Sequence, residues 1–223
     1  MSTTTATADQ QERRLREKRL AAAQAIVAHE WEQFQRVNNE GGRADCQGDW
    51  PTFHQMRLSQ FLTWTLPLLE SYARDLDDAD ACGANLLTEK YARMMASAEP
   101  ERYAREIEPF LPVLDGDRVL RQEAVVAVQV AWAEAFCGRY PRLGRGMRRL
   151  RTQQDTVEET SFETYLRGEL GTYSARTLGC YEDLVEATSA AGENLTERTL
   201  TWTVVLGGFA DLAEAEAAQA TTG

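Results

Sequence analysis

Histidine is almost absent from this sequence, which removes one common use of a helical chain. His29 and His54 are the two in 223 residues. Dinuclear iron and manganese bundles take Glu-x-x-His from each of two helices and a glutamate from each of two more. Ile26 and Pro51 stand three residues before the two histidines, so the motif is missing at both. No metal ligand and no cofactor are assigned, although an all-carboxylate centre stays open. Cysteine is scarce and scattered. Cys46, Cys82, Cys137 and Cys180 form no C-x-x-C pair, which excludes a zinc ribbon and a thioredoxin-type motif. Reduced thiols and a cytoplasmic location are expected. Charges interrupt every apolar run, so neither a signal peptide nor a membrane span is expected. Alternating β-branched runs bounded by hairpin turns are also missing, and with them the signal for strands. Basic charge is short. The chain has 24 Lys and Arg against 35 Asp and Glu, a formal net charge of −11. Nucleic-acid backbone and anionic membrane both repel such a chain, so neither is an expected partner.

What is present reads as helix. MSTTTATADQ is Ser/Thr-rich, and residues 1–9 are assigned to a disordered N-terminus ahead of one all-α domain over 10–219. A first helix is expected from about Gln10 to Val37, and a second from the Asp49 cap to about Leu76, bent at Pro67. Others follow at about Leu86 to Ala98, Glu101 to Glu108, Asp117 to Cys137, Ser161 to Ala190 and Leu195 to Ala218. The expected architecture is a single-domain bundle of six or seven helices, mostly antiparallel where loops are short. One basic cluster stands out from the acidic background: GRYPRLGRGMRRLRTQQ, with Arg139, Arg142, Arg145, Arg148, Arg149 and Arg151. It could hold an anion, but surface arginines usually form weak exposed pairs, and the cluster is assigned to such pairing.

Polar residues on helical stripes are the candidates for chemistry. Phe53, Arg57, Gln60 and Trp64 share one stripe of the second helix. An arginine and a glutamine between aromatics are costly to bury alone, so they meet a carboxylate from another helix or face a ligand. In LLTEKYARMM, Glu89 and Arg93 stand four apart in the order that favours a surface pair. In TSFETYLRGELGTYS, Thr160 to Glu163 match the capping box S/T-x-x-E, and Glu163 and Arg167 are again four apart. Glu169 lies four residues from both Tyr165 and Tyr173 on one sector of the expected long helix. Burial raises a carboxylate's pKa and tyrosine hydrogen bonds lower it, the kind of tuning that general acid–base catalysis uses. Gly168, Gly171, Ala175 and Gly179 make a small-residue face, expected to allow close helix approach or room for a ligand.

VNNEGGRADCQGDWPTFHQMRLSQFLTW, NLLTEKYARMM and TSFETYLRGELGTYSARTL occur in that order. On these segments the chain resembles the bacterial family known as domain of unknown function 4125, over about Ile26 to Asn194. The resemblance implies no activity. It does mark motif positions: Asn38, Asn39, Gly41, Gly42, Arg43, Cys46, Gln47, Arg57, Gln60, Trp64, Glu89, Lys90, Tyr91, Glu163, Tyr165, Arg167, Glu169 and Tyr173. His54 departs from the family's pattern. Polar and aromatic motif positions point to a site rather than to packing, and Cys46 beside Arg43 joins the candidate nucleophiles.

The expectation is an enzyme for a small, polar, carboxylate-bearing, amino-acid-like molecule, working without a cofactor as a lyase, isomerase or hydrolase. Glu169, Tyr165, Tyr173, Glu89 and Cys46 are the catalytic candidates. Arg57, Gln60, Trp64, Arg167, Lys90, Tyr91, Arg43 and Glu163 are the substrate-binding ones. The alternatives are a non-catalytic ligand-binding or regulatory module and a carboxylate-metal oxygenase. A homo-oligomer is compatible with all three.

Overall fold

The computed structural model describes residues 2–38, 42 and 45–220, and the side chains of 9–38, 42 and 46–220. Arg43, Asn39 and Gly41 therefore lie outside the described residues. Among the described residues every regular element is a helix, as expected, but there are eleven α-helices rather than six or seven. They are α1 (Ser2–Gln35), α2 (Trp50–Phe61), α3 (Leu66–Ala81), α4 (Leu86–Ala98), α5 (Pro100–Arg102), α6 (Gly116–Arg139), α7 (Pro141–Arg145), α8 (Phe162–Gly171), α9 (Ala175–Ala190), α10 (Leu195–Leu206) and α11 (Leu212–Ala218). None of them is long and apolar enough to cross a membrane.

The count rises because three expected helices are each cut in two and the arginine-rich turn forms the short α7. The second breaks before Pro67, which has no N–H for the carbonyl of Thr63. Thr65 caps the new helix by accepting from the Leu68 amide. The carbonyls of the turn between α2 and α3 find side chains instead: Arg19 donates to Leu62 and Trp64, and Arg198 to Thr63. The long helix at 161–190 breaks at Thr172–Ser174, where Ser174 caps α9. Arg118 Nη2 donates to the freed carbonyls of Leu170 and Tyr173 at 2.6 and 2.9 Å. The last helix breaks at Gly208, whose φ of +94° suits glycine, and restarts from the Asp211 cap. Side-chain caps of this kind also open α2 (Asp49), α4 (Asn85), α6 (Asp115) and α10 (Asn194). Each is worth roughly 1 kcal/mol, so polar punctuation largely sets the boundaries.

The main core joins α1, α2, α3, α6, α8 and α9 through residues such as Ile26, Phe61, Leu68, Val126, Leu170 and Leu178. A smaller cluster of Phe136, Val204, Leu212 and Ala215 links α6 to α10 and α11. The small-residue face of α8 serves close approach to α4. A Cβ at Gly168 would lie 2.8 Å from Met94 Cγ and 2.9 Å from the Lys90 carbonyl oxygen. That contact brings the Lys90 side chain beside Glu169.

Candidate functional site

Arg57 enters the core from α2 between two carboxylates. Its Nε and Nη2 donate to Glu30 on α1, both at 2.6 Å, and its Nη1 donates to Glu169 on α8 at 3.1 Å. Lys90 on α4 donates to the same Glu169 Oε2 at 2.5 Å. Two acids and two bases thus form a charge-balanced quartet, and each of the four is at most 5% exposed. Gln60, one turn after Arg57, accepts from Arg57 Nη1 and donates to Glu169 Oε1, each at 2.7 Å. Tyr72 donates to Glu30 at 2.7 Å and Tyr173 to Glu169 at 3.0 Å. Burying an ion costs several kcal/mol unless it is paired and hydrogen-bonded, and these contacts meet that condition.

Aromatic rings seal the quartet. The Arg57 guanidinium lies 4.8 Å from the Phe61 ring centroid. Trp64 stands edge-on to Phe61, Tyr72, Tyr173 and Tyr181 at centroid distances of 4.8 to 6.0 Å. With water kept out, charge interactions strengthen and pKa values move. Burial pushes the Glu169 carboxyl up, but Arg57 and Lys90 outweigh it and hold it well below the ordinary carboxylate range. Burial opposes the charge on Arg57, yet Glu169 and Glu30 drive its pKa further up. The Tyr72 and Tyr173 phenols rise, by burial first and by the neighbouring glutamates after it.

One face of this assembly borders a cavity of about 940 Å³. Arg57, Gln60, Trp64, Tyr91, Tyr165 and Glu169 line it, together with Phe53, Thr199, Leu200 and Thr203. Tyr165 is half-buried there, with the Lys90 ammonium 3.6 Å and the Arg148 guanidinium 4.9 Å from its ring centroid. Tyr91 is packed near Phe34, and burial pushes its phenol up. Cys46 is exposed and also lines the cavity.

Glu169, Tyr173, Arg57, Gln60 and Lys90 therefore meet in one cluster, and Trp64, Tyr91, Tyr165 and Cys46 border the same cavity. Three expectations change. Tyr165 does not hydrogen-bond Glu169 as Tyr173 does, because the helix break turns Tyr173 inward while Tyr165 packs on Lys90. Glu163 is not the third residue of a box capped by Thr160. Ser161 is the cap, and Glu163 accepts from the Thr152 amide at 2.9 Å and from Arg167 at 3.1 Å. Arg167 also pairs with Glu123 at 2.7 Å, and Glu89 pairs with Arg93 at 2.7 Å. Arg167, Glu163 and Glu89 are absent from the cavity wall.

Glu30 and Tyr72 escaped the sequence reading. A signal existed for Glu30: it follows Ile26 and Val27 by one turn and precedes Phe34 by another, so the acid interrupts the buried stripe of α1. Two acids of the run DLDDAD at 75–80 also tie helices together. Asp80 accepts from His29, Gln33 and Arg36 of α1, and Asp75 accepts from the Ser174 amide. Among the described residues, no three His, Cys, Asp or Glu side chains gather as a metal-binding set. Glu30 and Glu169 face the shared Arg57 instead.

Fold and site define an all-α protein with a sealed ionic cluster forming one wall of a cavity. The chain belongs to the family described as Protein of unknown function (DUF4125), whose profile matches residues 21–217. No curated protein and no solved structure matches it.

Proposed function

We propose that this chain binds a small organic molecule in the cavity between α2, α8, α10 and the arginine-rich turn. The observation that carries this reading is the cavity itself. Its 940 Å³ matches the upper range of small-molecule sites, and an apolar lining with a few fixed polar groups is their usual composition. The quartet is the scaffold of the polar wall, holding Gln60 and Tyr165 at the cavity surface.

A catalytic use of the cavity falls to Tyr165 rather than to Glu169. Glu169 is saturated with donors and stays ionised, so it neither gives up a proton near neutral pH nor readily accepts one. Tyr165 borders the cavity between two cations and carries an exchangeable proton. Elimination, isomerisation or hydrolysis of a carboxylate-bearing substrate remains the chemistry that such a wall suits.

One set of variants tests both statements. The neutral fluorophore N-phenyl-1-naphthylamine is expected to bind at one saturable site in the parent protein. Thr199→Trp, which fills the cavity from α10, is expected to abolish that binding with the helical circular dichroism unchanged. Binding that survives Thr199→Trp would place the ligand elsewhere. Tyr165→Phe is expected to keep fluorophore binding while stopping depletion of any substrate found by mass spectrometry in a pool of small carboxylic acids. Continued depletion would remove Tyr165 from the chemistry.

A further inference from the structure

The cations first expected to grip a carboxylate are already occupied. Arg57 is held by Glu30 and Glu169, Lys90 by Glu169, and Arg167 by Glu123 and Glu163. At Arg57 and Lys90 an incoming anion would have to displace a buried protein carboxylate and leave it without its counterion. Anion recognition therefore needs other cations on the same cavity.

The arginine-rich turn supplies them, because its six arginines divide into two sets. Arg139, Arg149 and Arg151 form the expected surface pairs, with Glu197, Glu159 and Glu134. Arg142, Arg145 and Arg148 line the cavity and make no ion pair among the described residues. Glu216 is an acid that the first two influence. Its carboxylate is taken by the backbone amides of Arg142 and Leu143, at 2.9 and 2.8 Å. Burial raises the Glu216 carboxyl, but those amides, then Arg142 and Arg145, bring it down overall. Among the described residues, the hydrogen bond and ring contact of Arg148 go to neutral groups: the Thr160 carbonyl oxygen, at 3.2 Å, and the Tyr165 ring. The charged side chains lining the cavity are four arginines against Asp49 and Glu169. In a chain of net charge −11 this cationic surplus is local, and three of the four arginines come from one turn.

Much of the rest of the wall is apolar, including Phe53 and Met56, and Phe136, Leu143, Met147 and Leu200 cluster together within it. We propose that Arg145 and Arg148, assisted by Arg142, form the anion-binding end of the cavity, and that its ligand is an amphipathic organic anion. The acidic head, a carboxylate, sulfonate or phosphate, takes the guanidinium groups in charge-assisted hydrogen bonds. The apolar body lies against the methionine and aromatic side chains of the wall, with Tyr165 beside the acidic head under Arg148. This assignment rests on the small-molecule reading of the cavity and specifies the ligand that the reading leaves open.

A matched pair of probes separates the two. 8-Anilino-1-naphthalenesulfonate and N-phenyl-1-naphthylamine share their rings, and only the first carries an anion. The parent protein is expected to bind the sulfonate more tightly than the neutral probe. Replacing Arg145 and Arg148 together by alanine is expected to lower sulfonate affinity about tenfold, the scale of two partly exposed charge contacts. The neutral probe should bind the double variant as before. Arg139→Ala and Arg149→Ala, on the same turn but paired outward, should leave both affinities unchanged.

Three results overturn the proposal: equal affinity of the two probes in the parent, sulfonate binding undiminished in the double variant, or an equal loss in the outward-facing controls. Neutral-probe binding that survives in all of these cases keeps the cavity reading and rejects its anionic end. Absence of binding by both probes rejects the cavity reading itself. If the double variant unfolds, Arg145→Gln and Arg148→Gln singly, which keep a polar side chain, give the same comparison.

Discussion

At the scale of single residues, Glu169 illustrates how a buried charge is decided by its partners. It takes hydrogen bonds from Arg57, Lys90, Gln60 and Tyr173, and no oxygen is left without a donor. Removing one member of such a cluster costs more than removing a neutral pair of members. Glu169→Met is expected to destabilise by about 3–5 kcal/mol, because Lys90 is left charged without its counterion. Lys90→Met alone should cost a similar amount. The double variant retains the balanced Arg57–Glu30 pair and loses one positive and one negative charge together. Its destabilisation is expected to fall short of the sum by more than about 1 kcal/mol. Urea unfolding of the four proteins at neutral pH measures this coupling. Simple additivity would show that Lys90 and Glu169 do not depend on one another.

At the scale of elements, α8 carries both the site and the contact that positions it. Gly168 lies against the Lys90 carbonyl oxygen, and backbone cannot rotate away as a side chain can. Gly168→Ala would push a Cβ to 2.9 Å from that oxygen and separate α8 from α4. A loss of roughly 1–3 kcal/mol is expected, the usual range for overpacking. Gly179, in the interior of α9, is the control. A Cβ there meets only the tip of Arg121, at 3.8 Å. Gly179→Ala should stabilise by up to about 1 kcal/mol through helix propensity. A melting temperature unchanged or raised in Gly168→Ala would contradict the assignment of Gly168 to close packing. The same element shows what could be read in the sequence. The all-α class, the Asp49 cap and the shared stripe of Arg57 and Gln60 follow from residue type and helical spacing. The break at Thr172–Ser174 does not, because it depends on Arg118 donating to the freed carbonyls of Leu170 and Tyr173, 52 and 55 residues later. Nor does the division of the arginine-rich turn, which is set by which acids fold opposite it. Periodicity reports one helix at a time, whereas Glu30 joins the site only when α1 packs on α2.

At the scale of the whole molecule, the quartet joins α1, α2, α4 and α8, so its titration is coupled to global unfolding. The folded-state pKa of Glu169 lies below the unfolded value of about 4.3. Its contribution is present above that value and is lost as pH falls toward and through the folded pKa, because the unfolded chain takes up the proton first. Asp155 and Glu163 are lowered as well and add to this acid limb. The buried phenols act at the opposite end. Tyr72 and Tyr173 have folded pKa values well above the usual tyrosine value of about 10. Their contribution is complete below about pH 10 and declines as pH rises beyond it, where the unfolded chain ionises first. Stability measured by urea midpoint is therefore expected to be flat between about pH 6 and 9 and to fall on both sides. Glu169→Gln should lower the plateau and flatten the acid limb between about pH 5 and 2, since glutamine does not titrate there. Tyr173→Phe should instead reduce the slope above about pH 10 and leave most of the acid limb in place. An acid limb equally steep in Glu169→Gln would assign acid unfolding to the surface carboxylates and leave the quartet without a role in it.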